Sequence, residues 1–149
     1  IEGVRKMLKE TIFIEKPISE VWDFIEMEFA KAFKCSPQAL LGKTTTADSM
    51  NFTGKVIKVS QVVTIHDKES HFAFTSENSK DRVESHYEFE ADPEGTYLTT
   101  YEIGSGVQSK MRTWNYQLFT LPILRGSTKK KLRRRLEGLK AMIESEDVE

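Results

Sequence analysis

The stretch IFIEKPISEVWDFI, residues 12–25, changes its hydrophobic period at a proline. Upstream, residues 8–14 alternate between two faces, which is the period-2 pattern of a β-strand. Downstream, the apolar residues between 18 and 33 fall in one half of a helical wheel drawn at about 100° per residue. Pro17 suits the first turn of that helix because it lacks an N–H and its φ is already fixed. The junction therefore predicts a strand followed at once by an amphipathic helix.

A short helix and a run of strands are predicted next. Residues 35–42, CSPQALLG, favour a short second helix with Ser36 as its N-cap and Gly42 as its stop. From about Thr44 to Ile103 the chain is rich in β-branched and aromatic residues, which is typical of strands. The turns between these strands are short, and DPEG at 92–95 suits a hairpin, so antiparallel pairing is predicted.

The chain ends in a second long helix. We expect it to begin between Leu121 and Thr128. Its apolar residues are spaced i, i+4, i+7 and i+11, which predicts one stripe facing the rest of the fold. They are Leu132, Leu136, Leu139 and Ile143.

This order of elements, with IFIEKPISEVWDFI at its start, resembles the START / birch-pollen-allergen-like superfamily, also called SRPBCC. The resemblance implies an α+β helix-grip fold. In that fold a curved antiparallel sheet wraps a long C-terminal helix, and two short helices follow the first strand. It covers residues 1–149 as a single domain. The segments GTYLTTYEI, WNYQLF and KKKLRRRLEGLKAMI are also similar to a small bacterial subgroup with no assigned function.

The resemblance implies a cavity between the sheet and the last helix, where such proteins bind a hydrophobic small molecule or lipid. An empty apolar cavity of ~300 Å³ would cost ~7 kcal/mol, at ~24 cal/mol per Å³, which is comparable to the stability of a domain. We therefore expect such a cavity to hold water or a ligand. The alternative is that aromatic side chains fill it.

Candidate ligand-binding residues follow from strand alternation. Three glutamates and His86 alternate along residues 82–90 and indicate the solvent-exposed face of that strand. Val83, Ser85, Tyr87 and Phe89 are therefore predicted to point inward. The same reasoning predicts that Tyr97, Thr99, Tyr101 and Ile103 point inward on the next strand, and that Ile57, Val59, Gln61, Val63 and Ile65 do so on an earlier one. Trp114 is placed at the cavity mouth by the resemblance. The predicted ligand-binding set is Gln61, Phe72, Phe74, Ser85, Tyr87, Phe89, Thr99, Tyr101 and Trp114. The alternative is that these are core residues bonded to one another or to water, with Trp114 as a plug.

Catalytic and metal sites receive little support from the sequence. Glu10 shares the face of the apolar residues on its strand and Glu28 lies in the apolar arc of the first helix, so each could serve as a base in an enzyme of cyclase or hydrolase type. The alternative is that each lies solvated at the open rim of the fold. His66 and His71 flank a turn and, with Asp67, could bind a metal; the alternative is a polar hairpin end. No metalloprotease, phosphate-binding or nucleophile motif is present, so no catalytic residue, metal or cofactor is predicted.

Charge and composition bound the remaining function classes. The net charge is −1, which gives no general attraction to nucleic acid. The single Cys35, the lack of an apolar membrane span and the absence of a signal-like start predict a cytoplasmic location. The basic residues of the segment KKKLRRRLEGLK are predicted to form the solvated back of the last helix. Its alternative is an interaction module that docks an acidic partner or lipid headgroups through six basic residues. These are Lys129, Lys130, Lys131, Arg133, Arg134 and Arg135.

Overall fold

The computed structural model describes residues 6–50, 56–78, 81–106, 117–118 and 129–145. Its strands are β1 (Lys6–Ile14), β2 (Thr44–Met50), β3 (Val56–Asp67), β4 (His71–Glu77), β5 (Asp81–Asp92), β6 (Gly95–Gly106) and β7 (Gln117–Leu118). Its α-helices are α1 (Ile18–Ala32) and α2 (Lys129–Ser145), and a short 3-10 helix spans Pro37–Ala39. The predicted start of the last helix, between Leu121 and Thr128, lies outside the described residues.

The strands form one antiparallel sheet in the order β1-β6-β5-β4-β3-β2-β7. Helices α1 and α2 contact the same side of this sheet, which we call the inner face; the opposite side is the outer face. The predicted stripe of α2 is confirmed, because Leu132, Leu136, Leu139 and Ile143 are all buried. The predicted DPEG hairpin is also confirmed, since Asp92 pairs with Gly95 across the turn from β5 to β6.

Helix α1 begins directly after Pro17, as predicted, and covers one part of the inner face with aromatic side chains. Phe29 stacks on Phe72 with ring centroids 4.4 Å apart and contacts Phe74 and Tyr87. Trp22 meets Phe89 edge to face at 5.1 Å. Each such pair adds about 0.5–1.5 kcal/mol beyond the area it buries. These contacts form an aromatic layer that fixes α1 on the sheet.

The strand alternation predicted for β5 is confirmed, but that predicted for β6 is wrong. In the register of the two strands, Ser85 pairs with Glu102 and Tyr87 with Thr100. The inner residues of β6 are therefore Thr96, Leu98, Thr100 and Glu102, all buried, whereas Tyr97, Thr99, Tyr101 and Ile103 lie on the outer face. The prediction failed because it carried the alternation of β5 onto β6 without the register of the two strands. That register places Leu98 and the charged Glu102 on the inner face, where a charged partner makes the burial of Glu102 tolerable.

A register shift in β3 changes which of its residues face inward. Between Val63 and Ile65 the pairing with β4 skips Thr64, which is the signature of a β-bulge. Val59, Gln61 and Val63 are buried on the inner face, as predicted. Beyond the bulge Ile65 pairs with the outward Ala73, so its predicted inward position is wrong, and His66 takes the inner position opposite Phe72.

Basic side chains of α2 bind the open edge of the sheet. Strand β1 is the terminal strand, and its backbone carbonyls at that edge need hydrogen-bond donors. Arg133 donates to the carbonyl of Thr11 at 2.7 Å, and Lys140 donates to that of Phe13 at 2.8 Å. The Glu15 N–H donates to Glu144, 2.9 Å away. Part of the basic segment therefore closes the sheet edge and is not simply solvated.

We predict that Lys140→Met lowers the free energy of unfolding by about 1 kcal/mol, because the apolar stem is kept while the bond to Phe13 and the ion pair with Glu144 are lost. Urea denaturation measures this change. Arg134→Met is the matched control, since Arg134 is exposed on the same helix. Equal urea midpoints for the two variants would show that the edge contacts contribute nothing.

Candidate functional site: the polar part of the inner face

The inner face carries buried polar side chains beside the aromatic layer. Ser85 and Tyr87 of β5 stand opposite Glu102 and Thr100 of β6, and Glu10 of β1 stands opposite Thr100. Strand alternation places these side chains on one surface because every second residue of each strand points the same way. Helix α2 contacts β1 and β6 and so lies over this surface. We call Glu10, Ser85, Tyr87, Thr100 and Glu102 the polar floor.

A buried ion pair joins α2 to the polar floor. Arg135 Nη1 lies 3.6 Å from Glu102 Oε2, and the two side chains are only 6% and 3% exposed. Removing two charges from water costs several kcal/mol each, and mutual attraction offsets this only when the partners stay together. The prediction that Arg135 belongs to the solvated back of the helix, available to an acidic partner, is therefore wrong. The side chains of Lys129, Lys130 and Lys131 lie outside the described part of the chain.

Tyr87 stays protonated in this environment. Complete burial raises the pKa of its hydroxyl to about 12, since the ionised form would lose its hydration; nearby Arg135 opposes the shift and Glu102 adds to it. Interactions of the hydroxyl with the side chains of Thr100 and Arg135 also act to lower the pKa. At neutral pH the hydroxyl of Tyr87 is thus an uncharged group that can both donate and accept a hydrogen bond.

Apart from Arg135, which is ion-paired with Glu102, three buried side-chain polar atoms have no hydrogen-bond partner among the described residues. They are the hydroxyl oxygens of Ser85 and Tyr87 and the Oε1 atom of Gln61, whose Nε2 donates to Ser76 at 3.2 Å. Each side chain is at most 1% exposed. A buried polar atom left without a partner costs about 1–3 kcal/mol, so buried groups are almost always satisfied. These atoms are the part of the inner face best suited to contact a bound molecule.

The aromatic members of the predicted ligand-binding set are buried, but they contact α1. Phe72, Phe74 and Phe89 pack against Phe29, Phe33 and Trp22. This is the alternative in which aromatic side chains fill the interior, and it describes one half of the inner face. Trp114 lies outside the described residues, so its predicted place at the cavity mouth stays a prediction.

Thr99 and Tyr101 lie on the outer face, where the predicted ligand cavity does not reach. Tyr101 stacks on His86 at 4.5 Å with the rings nearly parallel, and its hydroxyl donates to Glu88 at 3.0 Å. His86 contacts His71 through ring nitrogens 2.8 Å apart. Burial and the neighbouring His86 lower the pKa of His71. A cavity of about 300 Å³, open to solvent, lies beside this group and is lined by His71, Glu88 and Tyr97, among others.

The residues proposed for catalysis and for metal binding are separated. His66 faces inward, stacks on Trp22 and bonds to Glu26 at 2.7 Å, whereas His71 faces outward. Within the described ranges, no three His, Cys, Asp or Glu side chains are grouped to hold a metal ion. The two candidate bases are in ion pairs: Glu10 with Arg133 and Glu28 with Lys31, each at 3.5 Å.

Sequence reasoning missed Thr100, Glu102 and Arg135. A signal was available for the ion pair, because Arg135 lies three residues after Leu132 and one before Leu136, on the flank of the apolar stripe. Arg135 can therefore reach the sheet from the flank of the stripe, where an acidic residue on a strand covered by the helix can pair with it.

Solved structures share this architecture. The sequence matches no protein-family model and no curated protein. A Thalictrum flavum norcoclaurine synthase point mutant, in complex with a transition-state analogue, is 9% identical with a TM-score of 0.63 over 99% of both chains. Protein MLL2253 from Mesorhizobium loti is 14% identical with a TM-score of 0.62, covering 93% of this chain and 97% of that one. Ara h 8.0201 is 10% identical with a TM-score of 0.54, covering 95% and 97%.

These similarities establish the fold. The chain has the helix-grip fold of START / birch-pollen-allergen-like proteins, as its sequence resemblance implied. Along the described part of the chain, no helix has the length and hydropathy that crossing a membrane requires.

The pKa of Tyr87 predicts a pH dependence of stability. Its folded pKa, about 12, exceeds the ordinary value of 10.0, so the folded state retains the proton longer. The stabilisation is complete below the unfolded pKa and is lost as pH rises through the folded pKa. The free energy of unfolding of Tyr87→Phe, relative to that of the wild type, should therefore rise by roughly 1 kcal/mol when the pH is raised from about 9 to about 11.

Urea denaturation of both proteins at the two pH values measures this gain. Tyr97→Phe is the control, because Tyr97 is exposed on the outer face. A stability difference between Tyr87→Phe and the wild type that does not change with pH would contradict the burial of the hydroxyl.

Proposed function

We propose that this protein binds a small, largely apolar molecule on the inner face of the sheet, between the aromatic layer and α2. Gln61, Ser85 and Tyr87 contact the polar group of that molecule, and Val59, Val63 and Phe74 contact its apolar body. The observation that carries the proposal is that the first three side chains are fully buried with polar atoms unsatisfied by any described residue.

Leaving those three atoms without partners would destabilise the fold. Each unsatisfied polar group costs about 1–3 kcal/mol, so three would cost about 3–9 kcal/mol. The free energy of unfolding of a whole domain is only about 5–15 kcal/mol. A bound molecule or ordered water removes this cost. Water alone needs two to four polar partners per site, and the apolar Val63 and Phe74 lie between Gln61 and Ser85. A ligand with an apolar body fits that arrangement better than water does.

The fold gives this proposal a general precedent. Ligand sites in proteins are mostly apolar surfaces with a few placed polar groups, and the inner face has this composition. The norcoclaurine synthase with the same fold was solved in complex with a transition-state analogue. We extend only the idea of a binding site to the present chain, since the two sequences are 9% identical.

Neutral N-phenyl-1-naphthylamine is a suitable probe, because its fluorescence rises in apolar surroundings. We expect saturable binding to the wild type, and roughly fivefold weaker binding to Tyr87→Phe and to Ser85→Ala, since each loses one hydrogen bond worth about 1 kcal/mol. Tyr101→Phe is the matched control: it also removes one hydroxyl from a strand tyrosine, but on the outer face. It should bind the probe as the wild type does.

Native mass spectrometry of the protein purified from cells provides a second measurement. A retained small molecule of constant mass is expected in the wild type, and reduced occupancy in Tyr87→Phe. The proposal is wrong if the probe does not bind saturably and no small molecule is retained. It is also wrong if Tyr101→Phe weakens binding as much as Tyr87→Phe does.

A further inference from the structure

The cavity on the outer face lies where β4, β5 and β6 run side by side. Its volume is about 300 Å³, it is open to solvent, and its lining includes His71, Glu88, Glu90, Tyr97 and Thr99. This volume is at the low end of the range found for ligand sites in proteins. The cavity is therefore large enough for a small molecule, and the sheet separates it from the polar floor.

A chain of hydrogen bonds assigns the hydrogen atom of the His71 ring. Glu84 Oε1 lies 3.2 Å from His86 Nε2, and an ionised carboxylate can only accept, so His86 carries its hydrogen on Nε2. His86 Nδ1 then has a lone pair and accepts from His71 Nε2, which is 2.8 Å away. His71 Nδ1 is left with a lone pair. Burial and the neighbouring His86 lower the pKa of His71, which keeps the ring in this neutral form at about pH 7.

The cavity thus offers several hydrogen-bond acceptors and negative charge. Glu88 and Glu90 alternate on β5, so their carboxylates lie on the same face. Glu88 accepts a hydrogen bond from the Tyr101 hydroxyl at 3.0 Å and keeps further lone pairs, and Glu90 is exposed. Along the described segments of the chain, neither glutamate has an ion-pair partner. His71 is the cross-strand neighbour of Glu88 and adds the acceptor Nδ1.

An aromatic ring completes the lining. Tyr97 is 42% exposed, and its ring packs on Phe13 with centroids 5.0 Å apart. In the register of β5 and β6, Tyr97 pairs with Glu90, so its ring lies beside the carboxylates. A cation is attracted to the face of an aromatic ring by the quadrupole of the π-system. The ring and the carboxylates therefore favour the same ligand, a positively charged group on a small apolar body.

We propose that the outer-face cavity is a second binding site, which takes a small organic cation: a protonated primary amine with a compact apolar body. The ammonium group donates to Glu88 and to His71 Nδ1, Glu90 contributes its charge from the next outward position on β5, and the apolar body lies against Tyr97. An ammonium has three hydrogens and no lone pair, so it matches a group of acceptors. An alcohol of the same size lacks the charge, and the two carboxylates repel an anion.

Benzylamine and benzyl alcohol are matched probes, because they share an apolar body and differ in charge at about pH 7.5. Titration followed by ¹H–¹⁵N amide NMR spectra gives the dissociation constant and locates the bound probe. We expect benzylamine to shift the amides of residues 70–71, 88–90 and 97–99, and to bind there at least about fivefold more tightly than benzyl alcohol. Glu88→Gln should weaken benzylamine binding about fivefold, since the amide still accepts from Tyr101 but carries no charge.

Two control variants separate this site from general charge attraction and from the inner face. Glu77→Gln makes the same change of charge at an exposed position, at the other end of β4 from His71. It should bind benzylamine as the wild type does, and so should Tyr87→Phe. Equal weakening by Glu77→Gln and Glu88→Gln would show unspecific attraction and overturn the proposal. Weakening by Tyr87→Phe would place the probe on the inner face and would also overturn it.

Two-bond ¹H–¹⁵N spectra of the histidine rings test the contact with His71. Nδ1 should have the chemical shift of a nitrogen without hydrogen in the free protein, and that shift should change when benzylamine binds. A hydrogen on Nδ1 of the neutral ring, or no change at saturation, would contradict the proposal. It is wrong as well if the amides of residues 88–90 do not respond to benzylamine, or if benzyl alcohol binds there equally tightly. None of these results bears on the inner face, whose proposed function is tested separately with N-phenyl-1-naphthylamine.

Discussion

The ion pair between Glu102 and Arg135 is the interaction on which the arrangement of the inner face depends. Apolar contacts of α2 stabilise its association with the sheet, but they are not directional and would tolerate several positions of the helix. A buried carboxylate and guanidinium must stay together, because separating them leaves a charge without hydration. The pair therefore fixes where α2 lies over β6, and with it the surface that Ser85 and Tyr87 present.

The inner face is divided between the two helices. Helix α1 contacts its part through Trp22 and Phe29, which form the aromatic layer. Helix α2 contacts the other part through an apolar stripe and one arginine, and it binds the edge of β1 through Arg133 and Lys140. The basic residues of one helix thus have different roles according to their position around its axis. A ligand bound beside the polar floor would contact both the aromatic layer under α1 and the polar surface under α2.

The sequence predicted those features that follow from local pattern. The strand–proline–helix junction, the stripe of α2 and the inward residues of β5 depend on periodicities of 2 and 3.6 that short segments display by themselves. The resemblance carried by the junction gave the correct fold. Features that depend on contacts between distant segments were not predicted. Thr64 is an ordinary strand residue, and only its pairing with β4 reveals the bulge that turns His66 inward.

The candidate site shows the same limit more clearly. Gln61, Ser85 and Tyr87 were identified because they alternate with polar or exposed neighbours. Thr99 and Tyr101 were misplaced because the alternation pattern alone does not show which face of β6 is covered, and the buried charge of Glu102 lies on the covered face. A buried charge can be inferred only together with its partner, and the partner lies 33 residues away on another element. Knowledge of one residue of such a pair does not locate the other.

A double-mutant cycle on Arg135 and Glu102 tests the central claim most directly. Stabilities of the wild type, Arg135→Met, Glu102→Leu and the double variant are measured by urea denaturation. The account predicts that each single variant loses about 3–5 kcal/mol, that the double variant recovers much of this loss, and that the two changes are strongly coupled. Losses below about 1 kcal/mol that simply add would show a solvated, dispensable pair and would contradict the account.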